Sequence, residues 1–142
     1  MSVIVDPIHT HVVNGHPVRF FRSPFQGPDM PWHGAEDLLK ALDLPREFRR
    51  QQISRLHSEW KSDIRTVATA DGIVVIAPHF MARGMIDGMK QIGRLTDDVD
   101  ADYCHGASAA MEVITADIAD PVGQFEYVMH AFKRHGAHGE AH

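Results

Sequence analysis

The chain has 142 residues, 44% of them hydrophobic and 23% charged, with a formal net charge of −5. That size and balance suit a single folded domain rather than a disordered segment, and no stretch approaches the ~20 consecutive apolar residues of a bilayer-crossing helix. One cysteine, Cys104, excludes an internal disulfide, and the opening MSVIVDPIHTH lacks the basic-then-apolar order of a secretory signal, so a cytoplasmic setting is expected.

From His9 to Phe21 the pattern predicts two short strands about Asn14-Gly15, a pair of residues that supplies the positive φ angles of a type I′ turn. Ser23–Pro31, rich in Pro and Gly, reads as loop. Gly34–Leu44 follows as a short helix with Leu38, Leu39, Ala41 and Leu42 on one side and Glu36 and Asp37 in its first turn. Pro45 ends it and opens a second helix, Arg46–Trp60, since proline is tolerated at a helix start. Ile53, Leu56 and Trp60 mark its buried side, with Phe48 also assigned a structural role. Replacing a fully buried Trp60 by Ala would cost about 3–5 kcal/mol. Arg46, Arg50, Ser54, His57 and Lys61 recur at spacings of three or four and predict one exposed stripe.

A second hairpin is predicted from Ile64–Thr69, a turn at Ala70-Asp71-Gly72, and Ile73–Ala77. Pro78 leads into a helix over His79–Leu95, where Gly84-x3-Gly88 is explained by close packing. The acidic run Thr96–Asp102 is the expected internal boundary. Two further helices, Ala101–Ile118 and Val122–Arg134, flank Asp120-Pro121. The fold class is therefore α+β: two β-hairpins packed with short helices, then a C-terminal helical pair.

Eleven histidines invite a metal reading, with His9 and His11 on one strand face and His135, His138 and His142 near the end. No CxxC or HExxH accompanies them, so no metal site and no cofactor is expected. Cys104 adjoins His105, but sequence neighbours rarely aim their reactive atoms at each other, and no nucleophile, phosphate-loop or dinucleotide motif is present. The chain reads as non-enzymatic.

The basic helix is the most informative feature. Arg46, Arg49, Arg50, Gln51 and Arg55 crowd its first ten residues, with Lys61 and Arg65 beyond its end. Arg and Gln reach base edges in the major groove while Lys and further Arg hold phosphates, so these seven form the candidate nucleic-acid-binding set. Arg46, Arg50 and Lys61 are assigned to phosphates, and Arg49 and Gln51 to bases. The alternative is a solvated face partly neutralised by Glu47, Glu59 and Asp63. Charge is uneven along the chain: residues 1–95 hold 12 Lys/Arg against 10 Asp/Glu, and 96–142 hold 2 against 9. That asymmetry suits either a basic nucleic-acid face beside an acidic part, or a protein-binding module working through the acidic part.

The order of parts resembles the BRO-N domain of phage antirepressors and baculovirus BRO-type proteins. The strand–turn–strand VVNGHPVRFF, then PWHGAEDLLKALDL with Trp32, Asp37, Leu38, Ala41 and Leu42, then the basic helix and VATADGIVVIAPHFMARGMI carry the likeness. It implies a BRO-N-like domain over 1–95; the residues beyond it read as an acidic helical extension over 96–135, completing the same globular unit or forming a dimerisation element, and a disordered tail over 136–142. It also implies a DNA-binding or partner-binding regulator of a phage or mobile element, while the paired apolar helices over 101–134 suit a homodimer.

Overall fold

The computed structural model describes residues 3–140, with side chains through Arg134. The chain is α+β. In order it forms β1 (His9–Val13), β2 (His16–Phe21), β3 (Trp32–Gly34), α1 (Ala35–Ala41), α2 (Arg46–Glu59), β4 (Arg65–Thr69) and β5 (Gly72–Ala77). Then come α3 (His79–Gln91), α4 (Asp97–Thr115) and α5 (Pro121–Glu140). Both expected hairpins are present, but they do not stand apart. The short strand β3, where the sequence suggested only loop and helix start, pairs with β2 on one side and β5 on the other. One antiparallel sheet results, in the order β1-β2-β3-β5-β4.

The first turn takes the conformation its residues favour, with Asn14 at φ 51° and Gly15 at φ 78°. Asn14 also ties the turn to its surroundings. Its side-chain amide donates to the Ala41 carbonyl at 2.8 Å, capping the end of α1, and its backbone N–H donates to Asp102 of α4 at 3.2 Å. In the second hairpin the loop is Ala70-Asp71 alone; Gly72, at φ 116°, already belongs to β5. α1 stops at Ala41, three residues short of expectation. Asp43 takes a left-handed φ of 58°, and Pro45 disfavours helical geometry at Leu44.

Alternation along the strands sends neighbours to opposite faces. Phe20 and Val18 face α1, α3 and α4, where Leu38, Ile86, Val99 and Tyr103 complete the main core. Phe21, Trp32 and Ile76 face the other way and are covered by Val5 and Phe25. The N-terminal segment is pinned by Val5 N–H to the Ala68 carbonyl and Ile8 N–H to the Phe20 carbonyl, each at 2.8 Å. Asp29, itself buried, organises the 23–31 loop by accepting from Ser23 Oγ at 2.6 Å, the Met30 N–H at 2.9 Å and Trp32 Nε1 at 3.4 Å. Arg19 donates two hydrogen bonds to Asp37, at 2.8 and 3.0 Å, fixing α1 to β2. A Cβ on Gly34 would fall 2.7 Å from Asp37 Oδ2, so a side chain there would displace the carboxylate that Arg19 holds.

The acidic run is no boundary in the backbone. α4 begins at Asp97, with three aspartates in its first turn where they complement the helix dipole. It then lies directly on the sheet: a Cβ at Gly106 would fall 2.8 Å from the Phe20 ring and 2.9 Å from His11 Cβ. Residues 97–115 therefore belong to the main core. α5 packs more lightly, through Ala131 and Val128 against Met111, Ile114 and Met30. Its helical backbone continues to Glu140, into the segment expected as tail, while residues 141–142 lie outside the described residues. No helix among the described residues is long and apolar enough to cross a membrane.

His33 of β3 is fully buried, and neither of its ring nitrogens has a hydrogen-bond partner. Its ring stands edge-on to Tyr103, whose hydroxyl is 3.0 Å from His79 Nδ1. Burial pushes the His33 pKa from 6.5 down to about 4, so the folded chain holds this imidazole neutral. Between those values the unfolded chain binds a proton that the folded chain refuses, so stability falls as pH falls through the window. Urea unfolding at pH 7 and pH 4.5 should show wild type losing on the order of 2 kcal/mol more than His33→Leu. Equal losses in the two proteins would contradict the assignment.

Candidate nucleic-acid interface

α2 starts where proline allows and where its residues leave no alternative. Pro45 is the N-cap and its carbonyl accepts the Arg49 N–H at 2.9 Å; at the far end the Trp60 N–H donates to Leu56 at 3.0 Å. The helix has no buried residue. Ile53, Leu56 and Trp60 pack only half-buried against Ala35, Ile64, Ala77 and Met81, and Phe48 is 43% exposed. Trp60 therefore falls short of the full burial on which a 3–5 kcal/mol penalty depends. α2 is a helix laid on the body, not sunk into it.

Its outward side carries the predicted stripe. Arg46, Arg50, Ser54, His57 and Lys61 are all exposed, as are Gln51 and Arg55 on the adjoining flank. From Arg46 to His57 the stripe rises roughly 16 Å, at 1.5 Å per residue. Arg50 pairs with Glu47 at 3.7 Å and Arg55 with Glu59 at 3.3 Å. Exposed pairs of this kind contribute only about 0.2–1 kcal/mol, so a phosphate can displace the carboxylates. Arg46 and Lys61 form no ion pair among the described residues.

Two of the seven candidates are placed differently. Arg49 turns inward, half-buried, where Nη1 donates to the Leu44 carbonyl at 2.7 Å and Nε is buried without a partner. Arg65, on β4, donates to the Ile64 and Ser62 carbonyls at 2.7 and 3.2 Å and lies 4.9 Å over the Phe25 ring. Both guanidinium groups hold the chain's own backbone. Arg49 shares the register of Ile53, Leu56 and Trp60, three and four residues apart, so its inward position could have been read from spacing. The structure adds one neighbour the sequence did not suggest. Glu36 of α1 borders a shallow depression with Arg50, Ser54 and His57, setting one acid beside the basic stripe.

The remaining charges of the acidic C-terminal part are partly neutralised from within. Asp100 accepts from Arg83 and from Lys90, the latter at 2.9 Å, and these cations hold its carboxyl well below the usual carboxylate range. Asp97 also meets Lys90, at 3.0 Å. Cys104 sits beside this cluster, 3.4 Å from Arg83, and its thiol is pushed up by the packing around it and by Asp100. That is the opposite of an activated thiolate. His9 and His11 do face each other, 3.2 Å apart, but no group of three metal-ligating side chains occurs among the described residues. The side chains of His135 and His138, and His142 altogether, lie outside what is described.

A different surface lies on α5. Val122, Phe125, Met129 and Phe132, spaced three, four and three apart, are each at least half exposed along one line. Met111 by contrast is buried. Compared with family models, curated proteins and solved structures, the chain matches none.

The division of the basic set has a measurable consequence. Arg49→Ala should lower stability by about 1–2 kcal/mol, through loss of its bond to the Leu44 carbonyl. Arg46→Ala should change stability by less than about 0.5 kcal/mol. Thermal melts of the two variants check this, and a reversed order would refute the placement.

Proposed function

We propose that the chain is a non-enzymatic DNA-binding regulator of the BRO-N type, working in the cytoplasm, with α2 as its contact element. The observation that carries the reading is the exposure of α2 on a body that leaves its whole outward side to solvent. Arg46, Arg50 and Lys61 would hold phosphates, while Gln51 and Arg55, exposed on the adjoining flank, would reach base edges. Arg49 and Arg65 would support these contacts by fixing the backbone at either end of α2. The resemblance of residues 9–95 to phage antirepressors agrees with this reading, and so does the local excess of base over acid on α2.

A second reading rests on α5. An apolar line of four exposed side chains, bordered by the acids Asp117, Asp120 and Glu126, suits a protein partner or a second copy of the chain. The two surfaces lie on different elements and can coexist, as in a regulator that both binds DNA and associates.

Fluorescence anisotropy with random duplex DNA over a salt series separates them. Each phosphate contact contributes about −0.9 to the slope of log affinity against log salt. The Arg46→Ala/Arg50→Ala double variant should therefore bind more weakly and flatten the slope by up to ~1.8. Absence of binding by wild type at low salt would overturn the DNA reading and leave the α5 surface as the functional one.

A further inference from the structure

The seam between α2 and α3 holds an apolar hollow. About 520 Å³ in volume, it is walled by Leu39, Leu42, Phe48, Met85, Met89 and Ile92, and Arg94 is its one charged lining residue. That volume falls in the ordinary range for small-molecule sites, roughly 300–1,000 Å³.

The sequence keeps this hollow open at a cost. Gly84 and Gly88, one turn apart in α3, line it, and a Cβ on either would meet nothing within 4 Å. Each glycine costs a helix interior about 0.8–1.0 kcal/mol relative to alanine. Close packing, the reading their spacing suggested, does not account for them. They lower the wall of the groove.

Beside the groove lies a second, narrower space of about 40 Å³. Leu39, Gln52 and Met85 line both spaces, so these side chains form the partition between them. The inner space is also lined by His33, whose two ring nitrogens are buried without a partner. A neutral imidazole offers one donor and one acceptor, and so does a hydroxyl. The inner space is large enough for one group of that size, which is also about the room a water needs. No carboxylate lines either space, so nothing there would hold a cation.

We propose that the α2–α3 seam binds a small apolar molecule ending in one hydroxyl, its body in the groove and its hydroxyl passing the partition to pair with His33. Met85 and Gln52 are the movable parts of that partition, methionine being unbranched and adaptable. α2, with no buried residue, is the wall free to adjust around the guest. This site is independent of the nucleic-acid reading, since Arg46, Arg50, Ser54, His57 and Lys61 are not among the residues that line the groove.

The test uses the full chain and two probes, para-butylphenol and butylbenzene, which differ only in the hydroxyl. Binding is read by the shift in Tm and by methyl NMR of Met85 and Met89. The phenol should raise Tm with concentration and move both methyl signals, and should bind about tenfold more tightly than butylbenzene, the ratio for roughly 1.4 kcal/mol. Gly88→Leu should fill the groove and abolish binding while keeping or raising Tm, because leucine favours a helix more than glycine does. In His33→Leu the preference for the phenol should vanish. If that variant fails to fold, the probe pair and Gly88→Leu still decide the matter. No response to either probe, binding unchanged in Gly88→Leu, or equal affinity for the two probes in wild type would each overturn the proposal. The last of these outcomes would mean that His33 is served by water alone.

Discussion

Three residues of extended chain, Trp32–Gly34, hold this fold together. Paired with β2 on one side and β5 on the other, they turn two local hairpins into one sheet. Their side chains divide the interior between them. Trp32 anchors the face closed by the N-terminal segment and the Asp29 loop, and His33 looks toward the helices. Gly34 leaves room for Asp37 to be gripped by Arg19, which sets α1 against β2. α2 and α3 then lie where they do because the sheet places α1 and the end of β5 beneath them. An isolated two-stranded hairpin is marginal in water, so without β3 neither hairpin would supply a platform for a helix.

Much of this was legible in the residues, and the exceptions have physical reasons. Asn14-Gly15 and Asp71-Gly72 mark their hairpins because few residues tolerate positive φ. β3 escaped notice because three residues are too short to show alternation, and they sit between a proline-rich loop and a helix start. The acidic run from Asp97 resembled a linker, yet the same aspartates suit the first turn of a helix, and Lys90 and Arg83 wait on α3 to pair with them. Such pairings between two helices, across separations of seven to seventeen residues, are not visible in a local window. Of the basic set, the four-residue spacing found the stripe correctly. Arg49 carries the charge of that set but the register of the packed side, repeating with Ile53, Leu56 and Trp60, and register decides its inward position.

The arrangement of charge explains how an acidic protein can present a basic element. The cations of α3 are engaged with α4, so they neutralise the acidic part locally. On α2, Arg50 and Arg55 meet only weak, exposed partners. α2 thus separates two environments: a basic stripe on its solvent side and an apolar groove against α3. Because the helix is held by half-buried contacts alone, its position is the softest feature between the two.

Hydrogen exchange of the full chain, with and without random duplex DNA, tests the central claim most directly, since backbone protection reports where contact occurs. The account predicts slowed exchange confined to α2 and its flanking turns, residues 45–65, with α5 unaffected. Protection centred on residues 121–134, or no change anywhere, would contradict it.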